Sequence, residues 1–353
     1  MKFKKFKSLN LLKRKRNPLS SRMQKIRLEK NERISSYDNK FLGEIKKNLF
    51  SENISAYPEV EEIYLLLAKH LSVSPDMLVI TAGSDLAIKN CFELFISPGD
   101  EVITLNPTYG MVDVYSKIFQ AKQTKINYDK NLNLDLIKLS KSINKKTNLV
   151  IIANPNSPTG TVIDQKNLLK LIKLCKKFNS YLLIDECYFG YYSKTIIKYV
   201  KSYNNLIISR SLSKIGLAGC RIGYLVASRN TTKMLYKFRP FYEISSFSCL
   251  VFKSILKNKN ILKNYIKETL IGKTFLIENF KRLKIEFFPT NTNFILVKLN
   301  SQKMKNKIIK SFAKKHILVM GEGKLPGGDK ILRITLGPKY YMEKVINVFK
   351  NFY

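Results

Sequence analysis

The sequence predicts an α/β fold: a large domain with a mostly parallel mixed sheet covered by helices, joined to a smaller α+β domain. Three observations predict it. Short apolar runs alternate with helical patterns from about residue 55 to 227. Strands of a parallel sheet are buried on both faces, so they read as continuous apolar runs. Polar residues of chemical interest stand directly after those runs, where ligands of such sheets bind. From about Leu250 the order changes to helix, strand, helix, strand, which marks a second unit. A length of 353 residues accommodates two domains.

IYLLLAKHL (63–71) has helical spacing. LVIT (78–81) is a short apolar strand, and Gly83-Ser84-Asp85 after it open the helical run LAIKNCFELF (86–95). Backbone N–H groups at a helix N-terminus favour an anion, typically a phosphate. EVITL (101–105) is a strand ending at Asn106-Pro107, and NLVIIAN (148–154) is a strand ending in a proline-rich turn. LLKLIKLCKKF (168–178) is an amphipathic helix. YLLIDE (181–186), NLIISRS (205–211) and IGYLVAS (222–228) are further strands. Asp185 ends the first of these, with Tyr188 just beyond; Ser211, Ser213, Lys214 and Arg221 follow the second. In the last part, NFILVKL (293–299) and ILRITLG (331–337) are strands between helices. The expected division is a basic, disordered tail over 1–24, an N-terminal arm over 25–54, the large domain over 55–250 and the small C-terminal domain over 251–353.

The composition narrows the function. The chain is 45% hydrophobic and 11% aromatic, which rules out a disordered chain. No apolar run approaches the roughly 18 residues of a membrane span, so a soluble protein is expected. A net charge of +37 resembles that of a nucleic-acid binder. The basic residues are spread over the whole chain among Asn and Ile, however, as AT-rich coding would leave them, and a solvated basic surface accounts for them. Residues 1–22 carry nine Lys or Arg, no acid and no apolar core of a secretory signal; they are expected to be dispensable. Cys91, Cys175, Cys187, Cys220 and Cys249 are an odd number with no CxxC pair, which fits a reducing cytoplasm and no structural metal. His70 and His316 are the only histidines, which leaves no room for a multi-histidine metal site.

Nine motifs stand in one order: KNE (30–32), AYPE (56–59), TAGSD (81–85), SPGDEV (97–102), NPTYG (106–110), NPNSPTG (154–160), IDECY (184–188), SLSKIGLAGCRIGY (211–224) and LRITLG (332–337). Through them the chain, from about Lys25 to Phe352, resembles the class I/II aminotransferases of fold type I, and most of all the histidinol-phosphate aminotransferase group. The resemblance implies pyridoxal 5′-phosphate (PLP) as cofactor. It implies that Lys214 carries the cofactor's aldehyde and then shuttles a proton, which an amine of lowered pKa suits. Asp185 would pair with the ring nitrogen, keeping the ring an electron acceptor. Tyr188 would bond the ring's phenolic oxygen and Tyr109 stack on its face. Gly83, Ser84, Asp85, Ser211, Ser213 and Arg221 would hold the phosphate. Tyr57 would reach the phosphate of a neighbouring subunit, so a homodimer with shared sites is implied. Arg333 would clamp a substrate carboxylate or phosphate, with Asn31 also at the substrate.

Some positions depart from the family's pattern. Asn usually stands directly before Pro-Thr-Gly and bonds the ring oxygen; here Ser157 does, after Asn156, and either residue would serve. The step from Lys214 to Arg221 is one residue shorter than in many relatives. NENP is replaced by Asn31-Glu32-Arg33-Ile34. ILVR is replaced by a stretch with Met320, an apolar residue that cannot pair with phosphate, and Lys324 is the nearby cation. PPYNVN is replaced by RPFYEISS (239–246), with Glu243 for an Asn; a carboxylate facing the site would favour an amine or hydroxyls. Both changes argue against histidinol phosphate. The leading reading is a cytoplasmic PLP-dependent aminotransferase of amino acid biosynthesis, taking an amino group from an amino acid, glutamate foremost, by ping-pong chemistry. The alternatives are a PLP-dependent decarboxylase of the threonine-phosphate type and, more remotely, a non-catalytic polyanion-binding protein.

Overall fold

The structure, a computed structural model, describes residues 21–323 and 325–353. At its centre is a seven-stranded sheet in the order Leu78–Thr81, Gly223–Val226, Leu206–Ser211, Tyr181–Asp185, Thr147–Ala153, Glu101–Asn106, Lys122–Asn127. Only Gly223–Val226 runs antiparallel to its neighbours; the other pairs are parallel. This is the mostly parallel mixed sheet expected from the apolar runs.

Successive residues of one strand point to opposite faces, and here both faces are apolar. Val150, Ile152, Leu182, Ile184 and Ile208 belong to one buried cluster. Leu149, Ile151, Leu183 and Ile207, from the same strands, belong to another beneath helix Gly83–Phe95. That is why these strands show no polar alternation. The edge strand Lys122–Asn127 is the exception, with Ile126 alone fully buried. Polar residues at an edge discourage pairing with other chains, and they also hide such a strand from a search for apolar runs.

The second core lies under a four-stranded antiparallel sheet, in the order Met320–Gly321, Ile331–Thr335, Phe294–Lys298, Phe287–Phe288. Helices Asn260–Arg282, Gln302–Lys314 and Lys339–Phe349 bury Leu276, Phe280, Phe312, Met342 and Phe349 against it. Two segments tie the cores together. Leu262, at the start of the 23-residue helix, belongs to the large core, while Leu276 and Phe280 further along belong to the small one. Leu28 and Ile34 pack in the small core, whereas Phe41 and Ile45 pack in the large one.

The expected tail lies outside the described residues up to position 20. Its end is different from the expectation: Arg22–Gln24 form a turn of 3-10 helix, and Ile26–Arg27 pair in parallel with Ile317–Leu318. No helix among the described residues is long and apolar enough to cross a membrane.

Candidate active site

The carboxyl ends of the parallel strands face the small sheet across a cavity of about 420 Å³. Ser84, Tyr109, Ser157, Asp185, Tyr188 and Lys214 line it, as do Asp85, Ser211, Ser213, Arg221, Asn31 and Arg333. Residues as much as 304 positions apart, Glu29 and Arg333, therefore meet there.

One end is built for an anion. Gly83 begins its helix at φ +80°, and a Cβ there would stand 2.9 Å from Nη2 of Arg221. Glycine thus lets the guanidinium lie against the backbone at the helix N-terminus. Arg221 Nη2 donates to the Ala82 carbonyl at 3.3 Å and Nη1 to the Ser213 hydroxyl at 3.4 Å. Ser211 donates to Ser213 at 2.9 Å. Asp85 accepts from the Tyr115 hydroxyl at 3.0 Å, which orients the first helical turn. Hydroxyls, a guanidinium and the N–H groups of Gly83, Ser84 and Asp85 converge as a phosphate needs.

The floor is built for a cation. Asp185 is 3% exposed, and its Oδ1 has no hydrogen-bond partner. Burial pushes its carboxyl up to about 7, opposed in part by the nearby Ser209, Cys187 and Lys214. A buried carboxylate in this state calls for a positively charged donor. Its neighbour Glu186 is fully engaged: it accepts from Arg210 Nε and Nη2 at 2.9 and 2.8 Å and from the Thr195 hydroxyl at 2.7 Å. That buried pair fixes the turn between Asp185 and Tyr188.

Lys214 stands in an irregular turn, Ser213–Leu217, whose Gly216 has φ 145°. Its carbonyl accepts from Tyr191 at 3.2 Å and from Asn293 at 3.1 Å, and its amine donates to the Lys30 carbonyl at 3.1 Å. Burial lowers the amine's pKa from its ordinary 10.5, and Arg333 and Arg221 push it the same way. Tyr188 is 1% exposed and packs edge-on against Phe294. Its hydroxyl accepts from Asn31 at 2.9 Å. Burial raises its pKa, while bonds with Ser157 and Asn31 pull the other way.

The proline-rich turn separates its two candidates. Asn156 donates to the Pro107 carbonyl and to Thr159, and accepts from Thr108, so its amide is used up in tying this turn to the loop at Pro107-Thr108. Ser157 lines the cavity and Asn156 does not. Tyr109 is 39% exposed at the mouth. Arg333 projects from the small sheet opposite Met320 in register.

Two sequence-based candidates stay apart. Tyr57 is 77% exposed and stacks on Tyr242, with centroids 4.3 Å apart. The expectation that Glu243 faces the site is not met within this chain. Both its carboxylate oxygens accept from Arg239 Nη1 at 3.0 Å, and it does not line the cavity. Lys324 lies outside the described residues. Sequence reasoning missed Glu29 and Glu32, which line the cavity and accept from Arg22 at 2.5 Å each. It also missed Glu322, which pairs with Arg333 at 3.1 Å. The charged stretch 27–33 was the only available signal, because the pairings cross between distant segments.

The family model for aminotransferase class I and II matches residues 18–349. A histidinol-phosphate aminotransferase of Thermoanaerobacter sp. is 32% identical over 329 residues, covering 92% of this chain and 92% of its own. The solved histidinol-phosphate aminotransferase of Sinorhizobium meliloti, in complex with pyridoxal-5′-phosphate, superposes with a TM-score of 0.83 at 21% identity, covering 100% of this chain and 99% of that one. The solved L-threonine-O-3-phosphate decarboxylase of Porphyromonas gingivalis superposes with a TM-score of 0.78 at 19% identity over 93% of this chain and 99% of that one. The fold is thus shared by enzymes of both reaction types.

Proposed function

The chain belongs to aminotransferase class I and II and is a PLP-dependent transaminase resembling the histidinol-phosphate aminotransferases, and from that premise we propose that it takes an amino group from an amino-acid donor, glutamate foremost, and gives it to a small carbonyl acceptor in two alternating half-reactions. The observation that carries this reading is the unpartnered, buried Oδ1 of Asp185 at the floor of a cavity whose far end is an anion cradle. A group with a phosphate at one end and a protonated ring nitrogen at the other satisfies both at once, so the residues present fit PLP.

When bound, the cofactor supplies a cationic ring that accepts the electron pair left at the donor's Cα. The chain supplies the rest. Arg221, Ser211, Ser213 and the amides of Gly83, Ser84 and Asp85 bind the phosphate. Asp185 holds the proton at the ring nitrogen. Tyr188 and Ser157 would bond the ring oxygen, and Tyr109 would stack on the ring face. Lys214, whose pKa burial lowers, is the amine that would hold the cofactor's aldehyde and then take the proton from the donor's Cα. Arg333 binds the donor's carboxylate, with Asn31 beside it. Tyr57, which does not line the cavity of its own chain, is assigned to the contact with a second copy, where it reaches that copy's phosphate. We place this homodimer in the cytoplasm.

Transfer is preferred to decarboxylation because the family model and the 32%-identical relative are aminotransferases. A visible-absorbance titration tests the proposal. Glutamate should bleach the band of the purified protein, and 2-oxoglutarate should restore it. Carbon dioxide release from an amino acid with no bleaching would overturn transfer in favour of decarboxylation.

A further inference from the structure

The surroundings of Arg333 carry an inference about which acceptors the enzyme uses; it rests on the reading of Arg333 as the substrate's anion-binding residue. Arg333 Nη1 lies 3.1 Å from Glu322 Oε2, and the two side chains are only 12% and 10% exposed. The Glu322 amide donates to the Ile331 carbonyl at 3.0 Å, so the carboxylate is carried by a pinned backbone. Nη2 donates to the Glu29 carbonyl at 3.1 Å and to Met320 Sδ at 2.9 Å. Nε is buried and has no partner. The guanidinium is therefore held at both Nη1 and Nη2, and Arg333 lines the cavity with N–H donors left over for a ligand.

We infer that Glu322 is a specificity-determining residue that makes Arg333 a subsite for a carboxylate and excludes a phosphate dianion, so that the acceptor is a 2-oxo carboxylic acid. The charge of Arg333 is already balanced by Glu322 when substrate arrives. A carboxylate brings one negative charge and shares the guanidinium with Glu322. A phosphate brings a second charge beside a buried carboxylate, where little water screens the repulsion. Glu29 and Glu32 line the same cavity but are paired with Arg22 and Arg27, so Glu322 is the carboxylate that meets the ligand's charge at Arg333. Met320, opposite Arg333 in register, offers no donor for a third phosphate oxygen. Discrimination here works by repulsion of the wrong ligand as much as by attraction of the right one.

The test uses the cofactor-loaded enzyme and two unreactive probes of similar shape, propionate and ethylphosphonate. Their dissociation constants are read from the shift of the visible band at a pH where the phosphonate is a dianion. Wild type should bind propionate at least about tenfold more tightly. Glu322→Gln should shrink that ratio by about tenfold, through tighter phosphonate binding, whereas Glu322→Asp, which keeps the charge, should retain the preference. Equal binding of both probes by wild type would overturn the inference. So would an unchanged ratio in Glu322→Gln while Arg333→Ala weakens both probes. If Arg333→Ala weakens neither, the reading of Arg333 as the anion-binding residue falls, and the inference with it.

Discussion

The side chain of Asn31 joins Tyr188 to the small sheet. Nδ2 donates to the Tyr188 hydroxyl at 2.9 Å, and Oδ1 accepts from the Thr335 hydroxyl at 3.1 Å. The backbone at Asn31 has φ 56°, a left-handed conformation that asparagine tolerates better than most residues. Asn31→Ala should therefore lose both bonds and add backbone strain, destabilising the protein by about 1–3 kcal/mol. Urea unfolding of the purified variant measures this, and unchanged stability would mean that the bridge carries no weight.

Asp185 gives the cofactor-free protein a distinctive pH dependence. Burial raises its pKa from 3.8 to about 7, so the folded state holds this proton more tightly than the unfolded one. The resulting stability is full below about 3.8 and is lost as pH rises to about 7. The loss is on the order of a few kcal/mol. Asp185→Asn should remove this slope and make the cofactor-free protein more stable than wild type at pH 7.5. Parallel slopes for the two proteins in urea titrations at pH 5 and 7.5 would contradict the burial argument.

Gly83→Ala should weaken PLP binding by about tenfold or more, since a methyl group there strains the left-handed backbone and displaces Arg221. Gly43→Ala, where nothing lies within 4 Å of the new Cβ, serves as the control and should leave PLP binding unchanged. Equilibrium dialysis of PLP against both variants decides the matter.

Lys214→Ala should abolish the visible band that arises when PLP is bound through the lysine, although PLP still binds through its phosphate contacts. A wild-type spectrum from this variant would place the attachment on another residue.

Arg22 revises the expectation that residues 1–22 are dispensable. It bonds Glu29 and Glu32, and both line the cavity. Arg22→Ala would leave these carboxylates with less positive charge nearby. KM for an anionic donor should rise several-fold at low ionic strength and less at high salt. A chain truncated before Ser21 should keep the wild-type KM, and the same rise in both proteins would point to the removed segment instead.

Much of the site was legible because its residues follow strand ends: Asp185, Ser211 and Gly83 each stand at a carboxyl terminus that an apolar run announces. What could not be read is pairing across distance. Nothing in residues 316–323 signals that Glu322 will meet Arg333; the hairpin register decides it. The antiparallel course of Gly223–Val226 was equally hidden, since a strand buried on both faces has the same composition in either direction. Glu243 misled because its position suggested a substrate contact, while Arg239, four residues earlier, takes both its oxygens.

That reversed strand has a consequence for how such a chain can vary over generations. Because Gly223 pairs with Ser211, and the Leu212 amide bonds the Ile222 carbonyl at 3.0 Å, the excursion holding Lys214 and Arg221 is clamped at both ends. An added or deleted residue cannot be passed along into either strand without turning its side chains to the wrong face. It must be taken up inside the excursion, and Gly216, beside the Tyr37 hydroxyl, is where the backbone already bends out of its ordinary range. Length changes in this lineage would therefore be confined to that bend, which lies between the lysine and the arginine, so their separation along the chain can vary while both strands keep their register.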